Sequence, residues 1–138
     1  GDLGYTGSDI KTPVIDGLAT AGQILGHYYV MHCCSPTRSA LHTGRYNIRY
    51  GLQTQVIPNN KAYGLSLEET LMPQYMKEAG YSTYHVGKWH LGYYNQAMLP
   101  ESRGFDRWLG YLGGAEDYYY HNYSSRACKT KNHRPLKI

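Results

Sequence analysis

The chain has 138 residues and a net charge of +4, enough length for one domain with a core of its own. An apolar fraction of 41%, with 16 Gly and 16 Tyr, argues against a disordered chain. Lys and Arg are scattered and form no dense stripe before the last ten residues, a pattern that fits an anionic substrate and fits nucleic acid poorly; no apolar run is long enough to span a bilayer.

Thr12-Pro13 reads as an N-cap followed by Pro at the first helical position. A helix is expected over about 13–21, with Ile15, Leu18 and Ala19 on one face and Gly22 at its end. Gln23 to Met31 is apolar and aromatic and predicts a strand. His32 to Ser35 then forms a turn, and Pro36 suits the first turn of a helix that runs to about Thr43 and stops at Gly44. Residues 45–65 read as loop, broken by Pro58, Asn59, Asn60 and Gly64. A third helix starts with Thr70 as N-cap and Pro73 in its first turn. Its expected apolar face is Leu71, Tyr75, Met76 and Ala79, and Gly80 ends it. Tyr81 to Val86 predicts a strand, and the chain from Gly87 onward is mostly loop. Residues 125–138 form a basic tail. No internal repeat and no domain boundary is visible. Helices alternating with strands point to an α/β layered fold.

The chain opens on Gly1 with neither Met nor a signal peptide, and it reads as a fragment or processed form. Three cysteines, Cys33, Cys34 and Cys128, leave at least one free, paired outside the chain or chemically modified. Asn122-Tyr123-Ser124 is an N-glycosylation sequon, which favours a secretory route.

The chemistry concentrates around Cys34, in His32-Cys33-Cys34-Ser35-Pro36-Thr37-Arg38. Cys34 stands at a helix entrance, where free backbone N–H groups and the positive dipole end make an anion site. Arg38, four residues on, lies on the same face, and its side chain leans back toward the entrance. A guanidinium suits a tetrahedral oxyanion such as sulfate or phosphate. No standard zinc-ligand spacing links His32, Cys33, Cys34 and His42. The residues alone leave open a structural cysteine, a nucleophile and an anion site.

Cys34-Ser35-Pro36-Thr37-Arg38, with Thr43-Gly44-Arg45 behind it, resembles the sulfatase signature; Thr37 replaces the usual Ser and keeps the hydroxyl. Gly87-Lys88-Trp89-His90-Leu91-Gly92 resembles the second family segment. Lys11-Thr12-Pro13-Val14-Ile15-Asp16 is similar to the first family helix. Arg103-Gly104-Phe105-Asp106 and the run from Gly110 to Tyr119 are similar to the arylsulfatase B branch, which acts on sulfated N-acetylgalactosamine in glycosaminoglycans.

The resemblance implies an alkaline-phosphatase-like α/β domain, a mixed sheet with helices on both faces, of which residues 1–138 are an N-terminal portion incomplete at both ends. It implies a sulfuric ester hydrolase acting on a sulfated carbohydrate or aryl sulfate, N-acetylgalactosamine 4-sulfate among them, in a lysosomal or secreted protein. Cys34 would be oxidised to formylglycine by the formylglycine-generating enzyme. One hydroxyl of its hydrate would attack sulfur, and loss of a proton from the other would release sulfate. Arg38 would hold the formylglycine and balance charge, and Lys88 would contact sulfate and diol. His90 would hydrogen-bond the diol and help move its proton. Lys88 and His90 are two apart, so an extended segment points both to one face. Trp89 and Leu91 then face the core.

The resemblance also implies a divalent cation, calcium, held by the formylglycine at Cys34 and by ligands outside the chain. Asp2 is expected to lie after the paired family aspartates rather than among them, and the fragment alone is expected to be inactive. Cysteines of the arylsulfatase B branch stand where this chain has Asn60, Gly64 and Met98. Two rivals remain: a non-catalytic, anion-binding relative, and a phosphonate or phosphodiester hydrolase on the same scaffold.

Overall fold

A computed structural model describes residues 1–121. The sequon at Asn122, Cys128 and the basic tail lie outside the described residues. The sequence showed no boundary, but the chain divides into two compact units, Gly1–Val30 and Met31 onward.

In the first unit α1 spans Pro13–Ala21, the predicted helix. Its cap works differently from expectation. Thr12 Oγ1 accepts from Gly4 N–H at 2.8 Å and donates to Asp16 Oδ1 at 2.9 Å. Asp16 also accepts from Tyr5 N–H at 3.0 Å, so the carboxylate staples a 3-10 turn at Gly4–Thr6 onto the first turn of α1. Gly22 follows the helix but is extended, at φ −110°, rather than left-handed. The strand expected over 23–31 does not form. The segment makes no ladder with any described residue, and Ile24, Leu25, Tyr28, Tyr29 and Val30 are exposed. An apolar run alone does not make a strand; it needs a partner edge.

The second unit holds the core. Helix α2 spans Cys34–Thr43 and ends on Gly44 at φ 65°, the left-handed conformation that glycine supplies without strain. It begins two residues before Pro36, so Cys34 is its first residue and Cys33 its cap. The inward stripe of α2 is Ser35, Pro36, Ser39 and His42, at helical spacing but without a large aliphatic side chain. Leu41 points outward, 51% exposed.

The loop expected over 45–65 holds one 3-10 turn, Asn47–Arg49. Helix α3 spans Met72–Glu78, with Leu71 rather than Thr70 at the cap position. Gln74 Oε1 accepts from Leu71 N–H at 2.7 Å. Leu71 and Pro73 are buried, whereas Tyr75, Met76 and Ala79 of the expected apolar face are exposed. A helix of seven residues touches the core through its first turn only.

The predicted strand at 81–86 shortens to β1, Tyr84–Val86, which pairs in parallel with β2, Arg107–Leu109, inside the stretch expected to be loop. His85 sits opposite Trp108. Thr83 binds the turn before β2: its N–H donates to Asp106 Oδ2 at 2.7 Å and its hydroxyl to Gly104 O at 2.6 Å. Leu52, Ile57, Leu65, Leu71, Trp89, Leu91, Phe105 and Trp108 form one buried cluster. Each such side chain contributes about 1.5–3 kcal/mol on burial. Arg103, also buried, donates to the carbonyls of Ser66 and Glu69 and so ties the segment before β2 to the approach of α3.

Two glycines allow a close backbone crossing. A Cβ on Gly64 would stand 2.8 Å from Leu91 O and 2.9 Å from Gly92 Cα. Met98 Sδ lies 2.9 Å from that same position, so the thioether fills the space of a side chain at 64. Gly64→Ala is expected to destabilise the protein by about 1–3 kcal/mol through overpacking, read as a fall in Tm of the full-length chain, while Met98→Leu has a smaller effect.

Candidate active site

The thiol of Cys34 meets a cation from the far side of the sequence. Lys88 Nζ lies 3.0 Å from Cys34 Sγ, across 54 residues of chain. Arg38, one turn along α2, donates through its NH1 group to the carbonyl of Lys88. The hydrogen bond from Lys88 holds the Cys34 thiol below its ordinary pKa; burial opposes this, and the charges of Lys88 and Arg38 add to it. Cys33 and Cys34 are both free thiols.

Residues of α2 lock the entrance in place. Ser35 is fully buried; its hydroxyl donates to His90 O at 2.9 Å and accepts from Ile57 N–H at 3.0 Å. Thr37 uses the hydroxyl that it shares with Ser to donate to Met31 O at 2.7 Å, which clasps the chain just ahead of Cys34. Ser39 donates to Pro36 O at 3.1 Å within the helix.

The segment 87–92 is not extended. Gly87, His90 and Gly92 all have positive φ, with His90 at 56°. Trp89 and Leu91 are each 1% exposed and face the core as expected. Trp89 Nε1–H donates to the carbonyls of Gly92 and Met98. Lys88 and His90 do not share a face by strand alternation: the left-handed turn at His90 sends its ring to Ile57, whose carbonyl lies 2.9 Å from Nε2. A carbonyl can only accept, so Nε2 carries the proton and Nδ1 keeps a lone pair. That Nδ1 is buried without a hydrogen-bond partner among the described residues. Burial lowers the His90 pKa, the bond to Ile57 opposes this, and the charges of Lys88 and Arg38 lower it further.

Sequence reasoning gives Ser35 no role beyond the signature, weighs His42 only as a zinc ligand, and leaves His85 unmentioned. Strand alternation in β1 is the one signal that would have turned His85 inward, since Tyr84 and Val86 are exposed. His42 is buried against His85, Trp89 and Phe105 at centroid distances of 5.9, 5.5 and 5.8 Å. Its Nδ1 has no hydrogen-bond partner among the described residues. Burial, then the charges of His85, Arg38 and Arg103, lower its pKa to about 4.

No cluster of three or more His, Cys, Asp or Glu that would hold a metal occurs among the described residues. Among the described residues of the second unit, the charged groups gathered at the Cys34 thiol are the cations Lys88 and Arg38. This surrounding suits an anion and does not by itself fit a divalent cation.

The sulfatase family profile matches residues 1–134. Arylsulfatase J of Mus musculus is 49% identical over 120 residues, covering 87% of this chain and 20% of that protein. N-acetylgalactosamine-6-sulfatase of Homo sapiens is 40% identical over 119 residues, covering 80% of this chain and 23% of its own length. Among solved structures, Ps i-CgsB superposes with a TM-score of 0.78 at 37% identity, covering 85% of this chain and 26% of that one. The PsFucS1 sulfatase from Pseudoalteromonas sp. has a TM-score of 0.68 at 36% identity, over 82% and 23%. The chain thus spans about a fifth to a quarter of the length of these relatives.

Two outcomes are expected. In full-length protein carrying unconverted Cys34 and Cys33→Ser, iodoacetamide alkylation of Cys34 should persist below the ordinary thiol range, and Lys88→Ala should shift the profile to higher pH. His42 favours the folded state fully above its unfolded pKa of 6.5, and that contribution is lost as pH falls toward about 4, because only the unfolded chain takes up the proton. His42→Leu should therefore flatten the fall of Tm with pH across that window.

Proposed function

The chain belongs to the sulfatase family, and on that premise we propose that it supplies the nucleophile and the anion-binding cations of a sulfate-ester hydrolase. The observation that carries this reading is the Lys88 ammonium 3.0 Å from Cys34 Sγ at the first residue of α2, with Arg38 bound to the Lys88 carbonyl. Its fold is correspondingly a portion of the alkaline-phosphatase-like domain of its sulfatase neighbours. We take residues 1–138 as the N-terminal portion of the catalytic domain.

Cys34, oxidised to formylglycine, would supply as its hydrate two hydroxyls: one to attack sulfur and one whose deprotonation releases sulfate. A thiol offers only one nucleophilic atom. Lys88 stands where it would neutralise a sulfate oxygen or the attacking hydroxyl. Arg38 adds a second positive charge and spends one of its five N–H donors on Lys88. His90, anchored through Nε2–H to Ile57, keeps Nδ1 as an acceptor for the departing proton. The work is positioning and charge stabilisation, in a cationic site already assembled before substrate arrives. The described residues gather no ligand set for calcium, and a divalent cation would be held by the formylglycine at residue 34 together with ligands outside the chain.

The substrate class this reading favours is a sulfated carbohydrate, with N-acetylgalactosamine sulfates foremost, in keeping with the names of relatives at 40% identity. Maturation by the formylglycine-generating enzyme, a secretory route to a lysosomal or external site, and glycosylation at Asn122 complete the proposal.

The test uses the full-length protein. A peptide containing Cys34 should carry the aldehyde mass rather than the thiol mass. An aryl sulfate should be cleaved in preference to an aryl phosphodiester. Lys88→Ala should lower kcat by about 10²–10³, the cost of removing one charge-stabilising group. A thiol mass in native protein, or a clear preference for the diester, would overturn the reading.

A further inference from the structure

One inward titratable residue beside the site has no part in the chemistry above. His85 is the only residue of β1 that turns inward. Its Nε2 lies 3.2 Å from the carbonyl oxygen of Lys88. That oxygen only accepts, so Nε2 carries a proton and donates it. Phe105, His42 and Trp89 wall the ring at centroid distances of 5.1, 5.9 and 6.2 Å and fix its plane. Burial, ahead of the opposing bond to Lys88, lowers its pKa, and the Arg38 charge lowers it further.

The Lys88 peptide has unusual support. The backbone holds one edge of it: Trp89 N–H, in the same plane as the Lys88 carbonyl, donates to Tyr111 O at 2.9 Å, and Gly87 N–H donates to Leu109 O at 2.8 Å. The carbonyl of Lys88 itself is held by two side chains, Arg38 from α2 and His85 from β1. Each of the two lone pairs of that oxygen can take one donor. The peptide sits between positive-φ residues at Gly87 and His90, and beyond the Trp89 N–H bond it is side chains that hold its carbonyl edge.

We propose that His85 is a positioning residue: with Arg38 it fixes the Lys88 peptide, and thereby aims the Lys88 ammonium at the group on residue 34. The effect on turnover rests on the sulfatase reading; the effect on the Lys88–Cys34 contact does not. Arg38 alone would have to hold the carbonyl while also balancing the charge of the bound anion. A misplacement of roughly 1 Å at the end of the lysine can cost about 10²-fold in rate.

The full-length converted protein is assayed with an aryl sulfate in four forms: wild type, His85→Gln, His85→Leu and His85→Phe. Gln keeps an N–H donor and loses the ring; Leu and Phe lose the donor and bracket the ring's volume. The expected result is Gln within about threefold of wild type, and Leu and Phe at least about tenfold lower in kcat, with KM changed by less than about threefold. A merely structural ring would make Gln as damaging as Leu, and the inference fails on that pattern or if either donor-less variant keeps full kcat. The same variants, in unconverted protein with Cys33→Ser, are treated with iodoacetamide at neutral pH. Leu and Phe should slow alkylation of Cys34 about threefold or more, and Gln should not. Equal alkylation rates in all four forms overturn the inference. Should wild type cleave no sulfate ester, the functional reading fails and the alkylation series still decides the role of His85.

Discussion

The carbonyl oxygen of Lys88 is where the elements of the second unit meet. Arg38 reaches it from α2 and His85 from β1, and the side chain of the same residue runs back to Cys34. Remove the peptide from its place and three relations change together: the helix loses a tie to the loop, the strand loses its inward donor and the thiol loses its ammonium. The energy of any one of these hydrogen bonds is modest, about 1 kcal/mol net. Two of them share the Lys88 carbonyl as acceptor and the third starts from the side chain of the same residue, which makes them interdependent.

Around this point the core supplies rigidity that the site itself lacks. Lys88 and His90 alternate with Trp89 and Leu91, which are buried, so each polar residue is flanked by an anchor. The indole N–H of Trp89 binds two carbonyls, and the backbone crossing at Gly64 and Gly92 leaves no room for the loop to swing. Ser35 seals the other side by bonding the carbonyl of His90 and the N–H of Ile57. The consequence is a cationic site whose geometry is set by buried contacts rather than by solvent-exposed ion pairs, which contribute little.

Local signals in the sequence were read well where they act locally. Pro13 at the first helical position marks α1 and left-handed Gly44 ends α2, because both signals depend only on neighbouring residues. Signals that depend on a distant partner were read poorly. The run 23–31 has strand composition but no edge to join among the described residues. The strand Arg107–Leu109 is only three residues long and shows itself only beside β1. The inward stripe of α2 is Ser, Pro, Ser and His, which no hydrophobic periodicity reveals. Cys34 at a helix entrance and Arg38 on its face follow from spacing, and the structure keeps both near one another. The approach of Lys88 does not follow from spacing, and neither does the left-handed turn that takes the ring of His90 to Ile57.

The distance along the chain between Cys34 and Lys88 has a consequence for how the protein is made. Fifty-four residues separate the thiol from its ammonium, and fifty-five separate Ser35 from the His90 carbonyl that it binds. At a synthesis rate of roughly 5–20 residues per second, Cys34 exists for about 3–10 seconds before Lys88 has been polymerised at all. During that interval α2 has nothing to dock against at this face, and the backbone around Ser35 and Pro36, later sealed, is open. Any reagent that reaches the backbone around residue 34 only while it is open therefore has its opportunity set by the rate of synthesis, until the loop at 87–92 arrives.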